Sequence, residues 1–290
     1  MRSDWLEAFL TFSECLNFTH AAERLHLSQP ALHVKIKKLS ATVGAPLYLK
    51  QGRVLVLTDT GRRIQSFARE LRERNLEFMQ EIRTGTSAHP VVLAAGEGAY
   101  LYLLGSALSA FRKSSIYPLQ LLTTDATATV KALLSGQAHL GVTANAAYPD
   151  ELDATQFTTV KQLVVVPRHH PLAKKTVIKI KDLGDETFIL PSKERPLRIA
   201  VEQAFANKSQ TLRVAMEANG WELMLHFVKL GMGICIVNSC CNIPAILVAI
   251  PIPELPSLTY HILQRKSRWR TEAAVQLKDK LLKHKDQWQN

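Results

Sequence analysis

One long helical segment organises this sequence. The stretch 59–84 contains no proline and, after Gly61, no glycine, and Thr58 just before it is a favourable N-cap residue. These features predict a single helix about 39 Å long at 1.5 Å per residue. It would connect a region of short helices before it to a region of alternating strands and helices after it.

The apolar positions of this long helix alternate by four and three residues, as in a short coiled coil. Charged side chains occupy the other positions, so the apolar seam predicts a dimer. Asn75 falls on the seam, where a buried Asn would fix the pairing register at some cost in stability; a solvated Asn is the alternative. The seam consists of Ile64, Ala68, Leu71, Asn75, Phe78 and Ile82.

Three short helices are predicted upstream of it. Apolar residues at helical spacing form a first helix that ends near Cys15. Thr19 can cap a second helix at 20–25, and Ser28 can cap a third that carries Pro30 in its first turn. Two helices separated by three residues predict a helix-turn-helix.

The third helix has one apolar and one polar face. Its inward stripe is Ala31, Leu32, Ile36 and Leu39, and its outward positions are polar and cationic, as a helix that reads a DNA groove requires. After it, the segments 47–50 and 54–57 predict a two-stranded wing, whose tip would present Arg53 to the phosphate backbone or the minor groove.

The positive charge of the chain is concentrated in this region. The formal charge of the whole sequence is +11, which attracts polyanions from a distance. Between His20 and Arg63 there are eight Lys and Arg residues against Glu23 and Asp59, so 8 − 2 gives +6. Each basic side chain there is a candidate phosphate contact, and simple solvation is the alternative for each.

Several classes of protein are excluded by composition. The sequence lacks a run of about 18 apolar residues that would span a bilayer, so no membrane association is expected. Asp4, Glu7 and Glu14 interrupt the N-terminus, unlike a secretory signal. The four cysteines match neither a disulfide framework nor a zinc pattern. We therefore expect a cytoplasmic protein with no metal site and no cofactor.

Short apolar strands and helices alternate after a polar hinge at 85–90, which predicts a parallel sheet flanked by helices. A second set of strands and helices follows, so the region should form two α/β lobes. The predicted strands are 91–95, 119–122 and 140–143 in the first lobe, then 162–167, 187–190, 212–215, 233–237 and 247–250 in the second, and 260–264 as a return to the first.

The segment from Asn17 to His33, N-F-T-H-A-A-E-R-L-H-L-S-Q-P-A-L-H, resembles the N-terminal signature of the LysR-type transcriptional regulators. The resemblance implies an α/β multidomain fold: an N-terminal winged helix-turn-helix, a long dimerising linker helix, and a C-terminal two-lobed, periplasmic-binding-protein-like effector domain. It also implies a homotetramer built as a dimer of dimers. It continues through Val43–Tyr48, Leu57–Gly61, His170–Leu172 and Gly231–Ile234.

The domain boundaries expected from these features are 1–58 for the DNA-binding domain, 59–87 for the linker and 88–290 for the effector-binding domain. Within the last, lobe 1 would comprise 88–160 plus 264–290, and lobe 2 would comprise 161–263.

The resemblance assigns DNA contacts to the third helix and the wing. The family usually has other residues at His33, Lys35 and Ser40 on the third helix and at Val54 and Val56 on the wing. We therefore expect a divergent operator and weaker wing contacts. The DNA-binding residues are expected to be Ser28, Gln29, Pro30, His33, Val34, Lys35, Lys37, Lys38, Lys50 and Arg53.

The resemblance also places an effector site between the lobes, where helix N-termini favour an anion. Glu97 would oppose an anionic ligand unless it points away, and a small polar metabolite is the working hypothesis. The expected effector contacts are Gly96, Gly98, Ala99, Thr123, Thr124, Thr143, Ser192 and Asn219. Trp221 is expected to be a packing residue rather than a ligand platform.

Two of the four cysteines are adjacent in the sequence. Cys240 and Cys241 are either buried structural residues, which we favour, or a redox sensor.

An enzyme is disfavoured, because the sequence has no phosphate-binding glycine loop, metal-ligand cluster or nucleophile elbow. An architectural DNA binder with a vestigial pocket remains an alternative. The expected partners are double-stranded promoter DNA, a small metabolite, further copies of the chain and RNA polymerase.

Overall fold

The computed structural model of the chain describes residues 1–52, 54–84, 89–144, 147–266 and 270–285. These residues form two units, the first with 1–89 and Arg270 and the second with 90–266 and 271–285. Arg53 and most of the predicted hinge at 85–90 lie outside the described residues. No helix in the described part of the chain is long and apolar enough to cross a bilayer.

The first unit is a winged helix-turn-helix followed by the long helix, as predicted. Three helices pack their apolar faces into one core, which includes Phe9, Phe12, Leu32 and Ile36 at 1% exposure or less. The elements are α1 (Ser3–Cys15), α2 (Phe18–Arg24), α3 (Gln29–Val43), the antiparallel strands β1 (Tyr48–Gln51) and β2 (Val54–Leu57), and α4 (Asp59–Thr84).

Two of the three predicted helix caps are confirmed. The Ser28 hydroxyl accepts the Ala31 N–H at 3.3 Å at the start of α3, and the Thr58 hydroxyl accepts the Gly61 N–H at 2.9 Å at the start of α4. The prediction for α2 was wrong: its cap is Asn17, whose Oδ1 accepts the Thr19 N–H at 2.9 Å. Asn17 has the extended backbone that a cap needs, whereas Thr19 lies inside the helix.

Part of the predicted coiled-coil seam of α4 packs against other helices of the same chain. Ala68 is only 3% exposed, and Ile64 and Leu71 pack with it on the core of the helix-turn-helix. This half of the seam is therefore occupied by the protein's own helices. An exposed apolar stripe remains on α4, consisting of Phe67, Leu76, Phe78, Met79 and Ile82.

The second unit contains two α/β lobes, as predicted, and each is built on a five-stranded sheet with helices packed on it. Its elements are β3 (Val91–Ala95), α5 (Glu97–Tyr102), α6 (Gly105–Ser114), β4 (Leu119–Thr123), α7 (Ala126–Ser135), β5 (Leu140–Thr143), β6 (Leu152–Val160), β7 (Gln162–Pro167), β8 (Thr187–Leu190), α8 (Pro196–Asn207), β9 (Arg213–Glu217), α9 (Trp221–Lys229), β10 (Ile234–Asn238), β11 (Leu247–Pro251), β12 (Leu258–Arg265) and α10 (Glu272–Lys283).

Each sheet is the centre of one lobe. The first has the order β4-β3-β5-β12-β6 and the second β11-β7-β10-β8-β9. Strands β3, β4 and β5 are parallel, as are β8, β9 and β10, so their carboxyl ends meet at one edge of each sheet. The chain passes between the lobes at Lys161 and again between β11 and β12.

The boundary between the lobes differs from the predicted one. Strand β12 begins at Leu258 and pairs with β5 and β6, so 258–263 belong to the first lobe, although the sequence suggested the second. The strand β6 was not predicted, because its pattern is mixed and polar. The predicted helix through Phe111 is divided into α5 and α6.

The adjacent cysteines are both buried. Cys240 is 9% exposed and packs in the core of the first lobe, and Cys241 is 7% exposed and packs in the second. Burial raises the pKa of the Cys241 thiol well above its ordinary value. Because the thiolate is the reactive form, this environment favours the structural interpretation over a redox sensor.

Candidate functional site

The exposed side of α3 forms a polar and cationic surface, called here the reading face. Leu32, Ile36 and Leu39 are fully buried on one side of the helix, which turns the opposite side to solvent. The exposed residues of the reading face are Gln29, Pro30, His33, Val34, Lys37 and Lys38. All were among the predicted DNA contacts, and Ser28 lies next to them as the helix cap.

Lys35 lies at the side of α3 and has a partner within the chain. Its Nζ is 2.5 Å from Oδ2 of Asp4 on α1. The hydrogen bond from Lys35 lowers the pKa of Asp4, as does the charge of Arg2. In contrast, Lys37, Lys38 and Lys50 form no ion pair with another described residue. Lys35 therefore connects two helices, while the other three cations remain available.

The wing lies beside the reading face. Lys50 is exposed on β1, and Tyr48 Oη lies 3.5 Å from Nε2 of His33. The His33 ring is also 5.4 Å from the ring of Phe18, measured between centroids. His33 is thus held against an aromatic cluster and still exposes part of its ring. Arg53 cannot be placed, since it is outside the described residues.

A cavity of about 360 Å³ lies between the lobes of the second unit, within the size range of small-molecule sites. The N-cap residues of four helices line it, namely Gly96 of α5, Asp125 of α7, Arg195 of α8 and Gly220 of α9. The carboxyl ends of the parallel strands point to the same place, which is where α/β folds bind ligands.

Most of the predicted effector contacts line this interlobe cavity. They are Gly96, Gly98, Ala99, Thr124, Thr143 and Asn219. Thr123 lies outside the lining, at the exposed end of β4. Ser192 also lies outside; its backbone N–H donates to Oδ1 of Asn219 at 3.1 Å, and its single hydroxyl hydrogen can go either to the Glu194 carboxylate at 2.6 Å or to the same Asn219 oxygen at 3.0 Å. Ser192 therefore positions Asn219.

Asn238 and Tyr260 form part of the cavity floor and were missed from the sequence. Asn238 is 1% exposed, and its Nδ2 donates to Oη of Tyr260 at 3.2 Å. Burial raises the pKa of Tyr260 above its ordinary value, so its hydroxyl stays protonated. Asn238 is the last residue of β10, and the rule that ligands bind at strand carboxyl ends could have identified it.

Trp221 both packs and lines the cavity. Its ring lies 5.7 Å from that of Tyr102, and it contacts the position where a Cβ of Gly98 would be. Tyr102 donates its hydroxyl to the Glu222 carboxylate across the lobes. Burial, followed by this hydrogen bond, raises the pKa of Tyr102. The prediction of Trp221 as a packing residue alone was thus incomplete.

A winged helix with an exposed cationic face, combined with a two-lobed unit around a ligand-sized cavity, defines a ligand-responsive DNA-binding regulator. Residues 3–62 match the profile described as bacterial regulatory helix-turn-helix protein, lysR family. Residues 84–286 match the LysR substrate binding domain. The chain belongs to the LysR family of bacterial transcriptional regulators, and so has a DNA-binding and an effector-binding domain.

Individual relatives agree with this assignment. The RuBisCO operon transcriptional regulator of Allochromatium vinosum is 28% identical over 236 residues, covering 80% of this chain and 78% of that protein. A full-length OxyR variant from Pseudomonas aeruginosa has the same fold, with a TM-score of 0.63, 22% identity and 97% coverage of both chains. The effector-binding domain of QuiR in complex with shikimate gives a TM-score of 0.60 at 17% identity, covering 69% of this chain and 98% of that chain.

Proposed function

We propose that this regulator binds dyad-symmetric promoter DNA by inserting the reading face of α3 into the major groove. The single observation that carries the proposal is the exposure of Gln29, Lys37 and Lys38 opposite the buried stripe of the helix. Gln29 can pair with an adenine edge, and the lysines can neutralise phosphates. The other proposed contacts are Ser28, Pro30, His33 and Val34, with Lys50 and Arg53 from the wing.

Lys35 has a different role in this proposal. Because its ammonium group is bound to Asp4, it holds α1 against α3 and sets the angle at which the reading face meets DNA. Its contribution to DNA affinity is therefore indirect.

The protein acts as a dimer of dimers. The exposed apolar stripe of α4, including Phe78 at 58% and Ile82 at 62% exposure, supports pairing between copies of the chain. The functional divisions are 1–58 for DNA binding, 59–87 for the linker and 88–290 for effector binding. We place the return to the first lobe at Leu258, because β12 belongs to the first sheet.

A small polar metabolite bound in the interlobe cavity controls the regulator. The cavity volume and its convergent helix N-termini support this. Ligand entry would change the shape of the assembly, and with it the DNA bend and the contact with RNA polymerase. No catalysis is part of this function, and the site of action is the cytoplasm, where promoter DNA lies.

Mobility shifts with mapped promoter fragments test the DNA-binding face. Gln29→Ala should weaken specific binding by about 1 to 3 kcal/mol and relax sequence preference at one position. Lys37→Gln should weaken binding to all fragments and lower the salt slope by about 1. Lys113→Gln, on α6 of the second unit, is the matched control. Unchanged specific binding by the double variant Gln29→Ala/Lys37→Gln would exclude this face as the reader.

Thermal-shift screening of metabolites distinguishes a sensing regulator from an architectural DNA binder. An effector stabilises the folded protein by mass action, whereas a vestigial cavity would leave the melting temperature unchanged across the screen.

A further inference from the structure

Two neighbouring buried amides, one of them at the floor of the interlobe cavity, have unused hydrogen-bonding capacity. Asn238 lines the cavity, and its Oδ1 has no partner among the described residues. Gln162 lies directly opposite Asn238 in the β7–β10 ladder. It is 2% exposed, and neither its Oε1 nor its Nε2 has a described partner. Buried polar groups are normally paired, so Oδ1 of Asn238 calls for a donor, and the second hydrogen of its Nδ2 can bind an acceptor.

The cavity wall above this floor suits a flat ring. Trp221 and Tyr102 present their rings 5.7 Å apart at an interplanar angle of 34°, and both line the cavity. Leu101 of the first lobe and Leu223 of the second lie at its edge, at 55% and 45% exposure. An apolar planar body would cover these surfaces once bound.

The side-chain charges around the cavity oppose the attraction that its helix N-termini exert on an anion. Three carboxylates line it, Glu97, Asp125 and Glu222, against one cation, Arg195. Asp125 is occupied by the Ala128 N–H at 2.8 Å, and Glu222 by the Tyr102 hydroxyl. The positive charge of Arg195 is partly offset by its neighbour Glu194. The hydrogen bond from Ser192 lowers the pKa of the Glu194 carboxyl, and the charge of Arg195 lowers it further.

We infer that the effector is a small, uncharged, planar molecule with an amide-type edge, whose adjacent N–H and C=O groups pair with Asn238 at the cavity floor. This inference rests on the proposed function of the cavity. The ring lies against Trp221 and Tyr102, and the Asn238 amide is oriented by the Tyr260 hydroxyl. A carboxylate in place of the amide would lose the donor and meet the negative lining.

The matched probes nicotinamide and nicotinate test the inference, because they share a ring and differ in the amide and carboxylate groups. With the full-length protein, nicotinamide should raise the melting temperature by roughly 5 to 10 °C at about a hundredfold excess over its Kd. Nicotinate at the same concentration should give a much smaller shift. A calorimetric titration measures the two affinities directly.

Substitutions test the proposed contact between the ligand and Asn238. Asn238→Leu should abolish the response to nicotinamide. Tyr260→Phe removes the orienting hydroxyl and should weaken the affinity of the protein for nicotinamide several-fold. This second variant keeps the test valid if Asn238→Leu does not fold. Asn207→Leu, on an exposed position of α8, should leave the response unchanged.

Three outcomes would overturn the inference: no response to nicotinamide at its highest soluble concentration, an undiminished response in Asn238→Leu, or a stronger response to nicotinate that disappears in Arg195→Gln. Promoter binding measured on the same samples keeps the two proposals separate. If the probes fail while wild-type protein still binds its promoter, the ligand class is wrong and the DNA-binding proposal stands.

Discussion

The ring of Trp221, in the second lobe, lies where a side chain at Gly98, in the first lobe, would have to be. A Cβ at position 98 would come within 2.3 Å of Cζ3 of Trp221, a separation far below van der Waals contact. Trp221 also stacks near Tyr102. The absence of a side chain at Gly98 therefore sets how closely the two lobes approach beside the cavity.

Gly98→Ala should displace the Trp221 ring and change the shape of the cavity. We expect a loss of about 1 to 3 kcal/mol of stability from overpacking, together with a shift in tryptophan fluorescence. Chemical unfolding and emission spectra measure both. In a Trp221→Phe background the same substitution should cost much less, and purely additive effects of the two changes would contradict direct contact.

The ion pair between Lys35 and Asp4 predicts a structural role for this lysine. Lys35→Gln should destabilise the first unit and leave the salt slope of DNA binding unchanged, whereas Lys37→Gln should lower that slope by about 1 with little effect on stability. Unfolding curves and mobility shifts at several salt concentrations separate the two. A salt slope reduced by Lys35→Gln would show that Lys35 contacts phosphate.

The pH dependence of this pair has a defined sign. The pKa of Asp4 is lowered in the folded state, first by the hydrogen bond from Lys35. Its stabilisation is therefore present above the unfolded-state pKa and is lost as the pH falls through the lower folded-state value. The stability difference between wild type and Asp4→Asn should accordingly shrink on acidification below about pH 4.

Gly61 is required by the close approach of α4 to the wing. A Cβ there would lie 1.9 Å from the backbone oxygen of Leu47, and the carbonyl cannot move easily because it also accepts the Thr58 N–H. Gly61→Ala should destabilise the first unit by about 3 kcal/mol or more. Gly105→Ala, at a helical position with open space, is the matched control and should be neutral or slightly stabilising. Equal melting temperatures for both variants would refute the close contact.

His139 should make the second unit sensitive to mild acid. Its Nδ1 accepts the Val92 N–H at 2.9 Å, and burial, with a smaller contribution from the charge of Arg265, lowers its pKa to about 4. The unfolded chain takes up a proton near pH 6.5, while the folded chain does so only near 4. Stability is therefore highest above about pH 6.5 and falls by up to about 3 kcal/mol on the way to pH 4.

NMR titration of the imidazole and urea unfolding at several pH values check this dependence. His139→Asn should remove most of the difference between neutral and acidic conditions. A folded-state pKa near 6.5 would show that the ring is solvated and that this explanation is wrong.

Much of the DNA-binding unit was predictable because its signals are local. Ser28 and Thr58 cap the helices that follow them, and the alternation of Leu32, Ile36 and Leu39 determines which side of α3 is exposed. The cap of α2 was misassigned between Asn17 and Thr19, since both residue types cap helices and they lie two positions apart. The contact residues themselves stay predictions until DNA binding is measured.

The effector cavity was predictable only in outline. Segments at strand ends, such as Gly96 and Thr124, could be found by their position after an apolar strand. Asn238 and Tyr260 meet only because the end of β10 and the start of β12, in different lobes, lie beside each other. Nothing within a few residues of either one indicates that contact.

The sequence alone determined where most helices and strands form, which side of α3 is polar, and that the chain has two kinds of folded unit. These properties depend on side-chain periodicity and caps, which act over a few residues. Tertiary structure decided that Lys35 is bound by Asp4, that Ala68 packs on the chain's own helices, and which uncharged groups form the cavity floor. Such contacts join residues distant in the chain, and only the packing of complete elements brings them together.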